Sequence, residues 1–290
     1  VFFTRTDQQT DEAGAPSAPR WGTFVATGDS FTEGLWDVPD GAPPARTTHV
    51  DPTLVCRGWA DLLAMHLAER RVAAGAPTLA YANLAIRGRL LGPIVRDQVP
   101  TALAMAPDLV SVVGGGNDLL RPTGDPDGLA ALLDDAVARV RATGADVLLA
   151  TGVDAKESPF VRRTRARTGV LNAHVWSIAA RHGAHVVDLW GMRSLRDWRM
   201  WAPDRIHLTT DGHRRVAQAA LVALGLAPDD AAWDDPLAPL PPLPRTQRLR
   251  EDATWLRDHA YPWATRRLAR RSSGDARQPK RPVATPVETA

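Results

Sequence analysis

Gly28-Asp29-Ser30-Phe31-Thr32-Glu33-Gly34 follows a short apolar run, Thr23 to Thr27, and opens into a polar turn, as a buried strand does on meeting a helix. A serine placed there lies beside helix-start N–H groups that favour developing negative charge, which suits a nucleophile. Taken alone, the same residues also describe a helix capped by Ser30 or Asp29. Asp204-Arg205-Ile206-His207 supplies a second half to the chemistry. Their spacing on a loop lets the two side chains meet, so that His207 takes the Ser30 proton while Asp204 fixes the imidazole tautomer and stabilises the imidazolium. Two glycine-bearing loops offer a resting place for an oxyanion. Gly88, with Asn83 before it, lets a substrate approach a backbone N–H, and Gly114-Gly115-Gly116-Asn117-Asp118 offers the Asn117 amide. In isolation each of these also reads as a turn or a helix cap.

Such residues need a frame that brings them together. Thr23 to Thr27 reads as the first strand, and Trp59, Leu62, Leu63, His66 and Leu67 recur at helical spacing, giving a helix over Gly58 to Ala73. Leu79 to Ile86 and Leu109 to Val113 read as central strands. Leu129 to Ala142 is helical, Asp146 to Thr151 is a fourth strand, and Thr168 to His182 is the next helix. His185 to Leu189 is a fifth strand and Asp211 to Leu224 the closing helix. Strands joined by helical crossovers run parallel, so the pattern predicts an α/β fold: a five-stranded parallel sheet between two helical layers. Ligands of such sheets bind beyond the carboxyl ends of the strands, and each of the four motifs follows a different strand.

In that order the four blocks resemble the SGNH hydrolases, also called GDSL esterases and lipases. The matching stretches are Gly28-Asp29-Ser30, Asn83 to Gly88, Gly115-Gly116-Asn117-Asp118 and Asp204 to His207, and the likeness covers residues 23 to about 225. The resemblance implies Ser30 as nucleophile, His207 as base and Asp204 as its orienter, with an oxyanion hole from the Ser30 N–H, the Gly88 N–H and the Asn117 side chain. It also implies a three-layer α/β/α sandwich with a flavodoxin-like sheet of order 2-1-3-4-5, no metal and no cofactor. The expected reaction is hydrolysis of a carboxylic ester, thioester or acetylated small molecule through an acyl-enzyme.

Four further residues are candidates for contact with substrate: Asp29, Arg87, Arg89 and Trp201. Arg87 and Arg89 flank Gly88, where small or polar residues are frequent in the family. A guanidinium there suits an anionic acyl or leaving group, while the competing reading is an outward arginine paired with a surface acid. Trp190, Trp198, Met200 and Trp201 precede the Asp204 loop and either wall an acyl pocket or belong to the core. Glu33 reads as a first-turn acid favoured by the helix dipole. The remaining histidines lack ligand spacing, so no metal is expected.

The chain has 290 residues, 44% of them hydrophobic and 23% charged, which is ordinary globular usage. Cys56 is the single cysteine, so no intramolecular disulfide forms, and the cytoplasm is the default expectation. Residues 245–290 hold eleven Arg or Lys against five Asp or Glu and carry +6 of the chain's net +2, leaving the remainder acidic and without attraction for nucleic acid. Residues 1–20 read as a disordered leader, 21–228 as the catalytic domain and 229–245 as a proline-rich linker. Residues 246–270 read as a basic amphipathic helix that packs on the core or contacts a partner or membrane surface, and 271–290 as a disordered tail whose removal leaves activity intact. No run of residues is apolar for long enough to span a bilayer. Two other functions compete with the esterase: an acyltransferase using the same triad, and a phosphate- or nucleotide-binding flavodoxin-like module with an anion cradled by Gly28 to Gly34. The second lacks the lysine-bearing ending of a P-loop.

Overall fold

The computed structural model describes residues 18–38, 56–156, 158, 161–241, 244–261, 265, 274–275 and 277–289. Its elements in chain order are β1 (Thr23–Thr27), α1 (Ser30–Glu33), α2 (Trp59–Ala73), β2 (Ala80–Asn83), α3 (Leu91–Pro93), α4 (Val99–Leu103), β3 (Leu109–Val112) and α5 (Gly116–Leu119). They continue as α6 (Pro126–Arg141), β4 (Asp146–Ala150), α7 (Arg165–His182), β5 (His185–Val187), α8 (Thr210–Ala223), α9 (Arg245–Trp255) and β6 (Arg281–Pro286). A π-helical turn, Ile94–Gln98, joins α3 to α4.

The central strands β1, β3 and β4 are largely apolar because both faces of the sheet are covered there. In β1, Phe24 and Ala26 pack with Trp59, Leu63 and Leu67 of α2 and Val216 and Leu221 of α8. Val25 points the other way, into a core with Leu133, Val137 and Val140 of α6 and Leu171, Val175 and Ile178 of α7. Strand alternation thus splits one sequence run between two cores.

The sheet runs β5-β4-β3-β1-β2-β6. β1 to β5 pair in parallel, but β6 lies antiparallel to β2, with Tyr81 opposite Thr285 and Ala80 opposite Pro286. The expected five-stranded parallel flavodoxin-like sheet of order 2-1-3-4-5 is therefore corrected to a six-stranded mixed sheet. The reason lies in the composition of β6. Two prolines, Pro282 and Pro286, and a polar pattern disguise a strand whose outer edge needs no partner, the position where proline is tolerated. The Arg281 guanidinium lies 5.4 Å from the centre of the Tyr81 ring and holds the strand to its neighbour. Residues 277–289, expected to be a disordered tail, are therefore ordered in part as sheet; 271–273 and the leader up to residue 17 lie outside the described residues.

Residues 229–241 follow the surface of α8, where Gln218 Oε1 accepts the Asp229 amide at 2.7 Å. The expected basic helix is α9, continued by a π-helical turn over Leu256–Ala260. Its buried anchor is Trp255, while Leu249 and Leu256 are exposed; Trp263 and Leu268, which the amphipathic reading also used, lie outside the described residues. Among the described residues no helix is long and apolar enough to cross a membrane.

One turn sets the geometry of everything above the sheet. α1 ends at Gly34, whose φ of 85° is left-handed and whose amide returns to Ser30 O at 3.1 Å. A Cβ there would stand 1.5 Å from Arg57 O. Gly34→Ala is expected to lower unfolding free energy by about 3 kcal/mol, measured by urea denaturation, since backbone strain and a backbone clash add.

Candidate active site

β1 delivers Gly28 and Asp29 to the carboxyl edge of the sheet. The Gly28 backbone is held on both sides by buried Gln98, which accepts the Gly28 amide at 2.7 Å and donates to the Gly28 carbonyl at 3.0 Å. Asp29 is extended and caps α1 by accepting the Phe31 amide at 3.0 Å. Ser30 is thus the first helical residue, and its amide has no intrahelical acceptor. Its Oγ lies 2.8 Å from His207 Nε2.

The other ring nitrogen, Nδ1, donates to Asp204 Oδ2 at 2.6 Å. With Nδ1 protonated against a carboxylate, Nε2 is left to accept from the serine. Asp204 Oδ1 accepts the Ile206 and His207 amides, both at 3.0 Å, so carboxylate and imidazole are fixed by one tight turn. Burial by itself would raise the Asp204 carboxyl, but the His207 charge and these hydrogen bonds outweigh it and hold the group well below the usual carboxylate range. Arg205, inside the turn, takes a left-handed φ of 59°. α9 backs the turn: Trp255 Nε1 donates to Asp204 O at 2.9 Å, and Arg205 pairs with Asp252 at 2.7 Å while stacking on Trp255.

Gly88, with φ of 75°, lines the same cavity, and the loop that carries it is tied down from α5. Asn117 Nδ2 donates to Arg89 O and Asp118 Oδ2 accepts the Leu91 amide, each at 3.0 Å. Asn117 Nδ2 also donates to Asp29 Oδ2 at 3.0 Å. Asn117 therefore reaches the cavity wall as expected, but both of its amide hydrogens already have acceptors, and it acts as a tie between the Ser30 and Gly88 loops.

Around these groups the cavity has a volume of about 850 Å³. Its lining includes the buried aliphatic residues Leu91, Val112, Leu133, Leu171 and Val175 and the aromatic residues Trp198, Trp201 and Trp255. Trp201 therefore faces the cavity as a candidate substrate contact, its Nε1 bonded to Leu195 O at 2.8 Å. Met200 belongs to the core, and Trp190 stacks under Arg165. Arg87 is a correction. Its side chain is 1% exposed and forms an ion pair with Glu33, Nε to Oε1 at 2.8 Å, while its amide donates to Glu33 Oε2 at 2.6 Å. A guanidinium so buried needs its carboxylate and reaches neither substrate nor surface, and Glu33 is that partner rather than a helix-dipole acid. Arg89 contributes its backbone carbonyl to Asn117, and its side chain is not among the groups lining the cavity. Among the described residues no three His, Cys, Asp or Glu side chains gather as a metal-holding group.

Sequence reasoning missed Gln98, Trp255 and the buried set behind the site. In that set Asp37 accepts from Arg57 at 3.1 Å and from Thr210 at 2.8 Å, while His213 accepts the Trp59 amide at 3.3 Å. Burial pushes His213 down to about 4, so it packs as a neutral ring.

Asp29 links the site to pH. Burial pushes its carboxyl up to about 6 against the Phe31 hydrogen bond and the His207 charge. The folded protein then binds this proton more tightly than the unfolded chain, so the contribution to stability is full below the ordinary value of 3.8 and is lost as pH rises through 6. Asp29→Asn removes that dependence. Relative to wild type, the variant is expected to gain about 1 kcal/mol in stability between pH 5 and pH 8, read by calorimetry at the two values.

No curated protein matches the chain in sequence. Among solved structures it is similar to LAE5, an α/β hydrolase from the metagenome of Lake Arreo, Spain, at 26% identity and a TM-score of 0.56, over 70% of this chain and 95% of that one. It shares its fold with Axe2, an acetyl xylan esterase from Geobacillus stearothermophilus, at 21% identity and a TM-score of 0.57, over 72% and 97% of the two chains. The psychrotrophic esterase EstA from Pseudoalteromonas sp. aligns at 16% identity with a TM-score of 0.51, over 70% and 96%. The sequence profile of the GDSL-like Lipase/Acylhydrolase family matches residues 26–215, a stretch that contains the Ser30, Gly88, Asn117 and Asp204–His207 segments together. The chain belongs to that family and is a serine esterase or acylhydrolase of the GDSL type.

Proposed function

We propose that Ser30 is the nucleophile, His207 the general base and acid, and Asp204 the residue that orients and stabilises the imidazolium. The observation that carries this reading is the unbroken hydrogen-bond chain Ser30 Oγ to His207 Nε2 at 2.8 Å and His207 Nδ1 to Asp204 Oδ2 at 2.6 Å. Ser30 Oγ attacks the ester carbonyl carbon as its proton passes to Nε2, and the carbonyl oxygen becomes the oxyanion of a tetrahedral intermediate. The Ser30 and Gly88 amides are the donors to that oxygen, and Asn117 joins them by sharing a hydrogen it gives to Asp29 or Arg89 O. Collapse breaks the bond to the leaving oxygen, which takes the proton from His207. A water then gives its proton to Nε2, attacks the acyl carbon and releases the acid with Ser30 restored.

The substrate is an ester with an apolar acyl chain well beyond acetyl. Support comes from the buried aliphatic side chains Leu91, Val112, Leu133, Leu171 and Val175 in the cavity lining, and from Arg87, the residue whose charge argued for an anionic group, which lies off that lining and is neutralised by Glu33. A volume of 850 Å³ falls within the roughly 300–1,000 Å³ of sites for drug-sized ligands.

Turnover of p-nitrophenyl esters from acetate to octanoate, with a fluorophosphonate label located by mass spectrometry, tests both parts. kcat/KM is expected to climb roughly tenfold for each pair of methylenes buried, and both turnover and label to vanish in Ser30→Ala. A label on another residue would remove the proposed nucleophile; a preference for acetate would remove the proposed chain length.

A further inference from the structure

β6 closes the sheet, but the residues just before it do something else. Lys280 has a side chain only 9% exposed. Its Nζ is ringed by four acceptors that share its three hydrogens: Glu33 O at 2.6 Å, Cys56 O at 2.8 Å, Arg57 O at 2.8 Å and Asp61 Oδ2 at 2.6 Å. Glu33 is the last residue of α1, the single turn that carries Ser30. The carbonyls at a helix end need partners, and an ammonium is a favourable one. Cys56 and Arg57 lead into α2, and Asp61 lies in its first turn. One cation therefore fastens the end of the Ser30 turn to the beginning of the helix beneath it.

The same segment also meets the Gly88 loop. Gly274 lies so close to that loop that a Cβ on it would stand 2.0 Å from Arg87 O, one residue before Gly88. Arg277 Nη1 is 3.7 Å from Glu33 Oε1, the oxygen that also receives the Arg87 guanidinium. Glu33 thus joins the two strips of chain: its carbonyl is held by Lys280, its carboxylate by Arg87 and Arg277. Beyond Lys280, the pairing of β6 with β2 fixes the segment, and Val287 N donates to Leu79 O at 2.8 Å.

We propose that the C-terminal segment bearing Gly274, Arg277, Lys280 and β6 is a positioning element of the active site. Lys280 is its principal residue, setting α1, and through Glu33 and Arg87 the Gly88 loop, so that the Ser30 and Gly88 amides converge on one point. Lys280 touches no substrate; it acts through Glu33. The proposal rests on the reading of Ser30 as nucleophile. It reverses the expectation that residues 271–290 can be removed without loss of activity.

The test uses the full chain with Lys280→Met, which keeps length and removes charge, beside Val137→Ala, a core truncation in α6, on the face of the sheet away from α2, that lowers stability while leaving the Lys280 contacts in place. Ester hydrolysis and the rate of fluorophosphonate labelling at Ser30 are measured at a temperature where circular dichroism shows all variants folded. Lys280→Met is expected to lose tenfold or more in kcat and in labelling rate, with KM within about twofold, since an error of about 1 Å in placing reacting groups costs up to ~10²-fold. Val137→Ala is expected to retain both rates. Equal rates in Lys280→Met and wild type, whatever the change in melting temperature, would overturn the proposal. If Lys280→Met does not fold, Asp61→Asn weakens the same clamp while keeping the ammonium, and the same split between kcat and KM decides. Failure of wild type itself to label at Ser30 would instead remove the proposed nucleophile, so the two readings fail separately.

Discussion

The imidazole of His207 is bonded on both sides, to a serine 177 residues away and to an aspartate three residues away, and the rest of the architecture serves that double bond. Ser30 stands at the end of β1, in the middle of the sheet, whereas the chain leaves β5 at its edge. Residues 188–203 must therefore travel back across the carboxyl ends of the strands. They do so through two short 3₁₀ turns, Ser194–Arg196 and Trp198–Met200, with Leu195 and Met200 sunk in the core. A bridge between Trp201 and Leu208 then closes the Asp204 turn before α8 begins. A connection anchored at so many points loses less freedom when substrate binds, which is how preorganisation contributes to rate.

Charge is handled differently in the triad and beneath it. Asp204 keeps its charge because two backbone amides and the His207 imidazole bond to its carboxylate. Asp29 and Asp118, both raised by burial, spend their oxygens on the Phe31 and Leu91 amides. The Glu33–Arg87 pair is buried and the Lys280–Asp61 pair beside it is largely so. Buried pairs are weak contributors to net stability but exact a large penalty when one partner is removed, so they specify geometry more than they add free energy. Their placement under the Ser30 turn and the Gly88 loop is consistent with that use.

The residues with chemistry were legible because each follows a strand that announces itself. Apolar runs such as Phe24 to Ala26 or Val147 to Leu149, broken by glycine or an acid, mark both the element and the place where a loop turns over the sheet. What the sequence concealed depends on long range. Lys280 meets Glu33 across 247 residues, and Trp255 meets Asp204 across 51, and neither contact leaves a periodic trace. β6 hid behind its prolines, and Arg87 behind the habit of reading an arginine beside an active-site loop as a substrate contact or a surface charge. Its burial is decided by Glu33, on a different element, and so cannot be read from its neighbours.

The central claim is that the Ser30 and Gly88 amides and the His207 ring converge on a single reacting carbonyl. A crystal structure of the protein after reaction with a fluorophosphonate tests it most directly. The account requires phosphorus bonded to Ser30 Oγ, one phosphoryl oxygen within hydrogen-bond distance of both amides, and His207 Nδ1 still on Asp204. An adduct whose phosphoryl oxygen turns away from Gly88, or a His207 ring that has left Asp204, would contradict it.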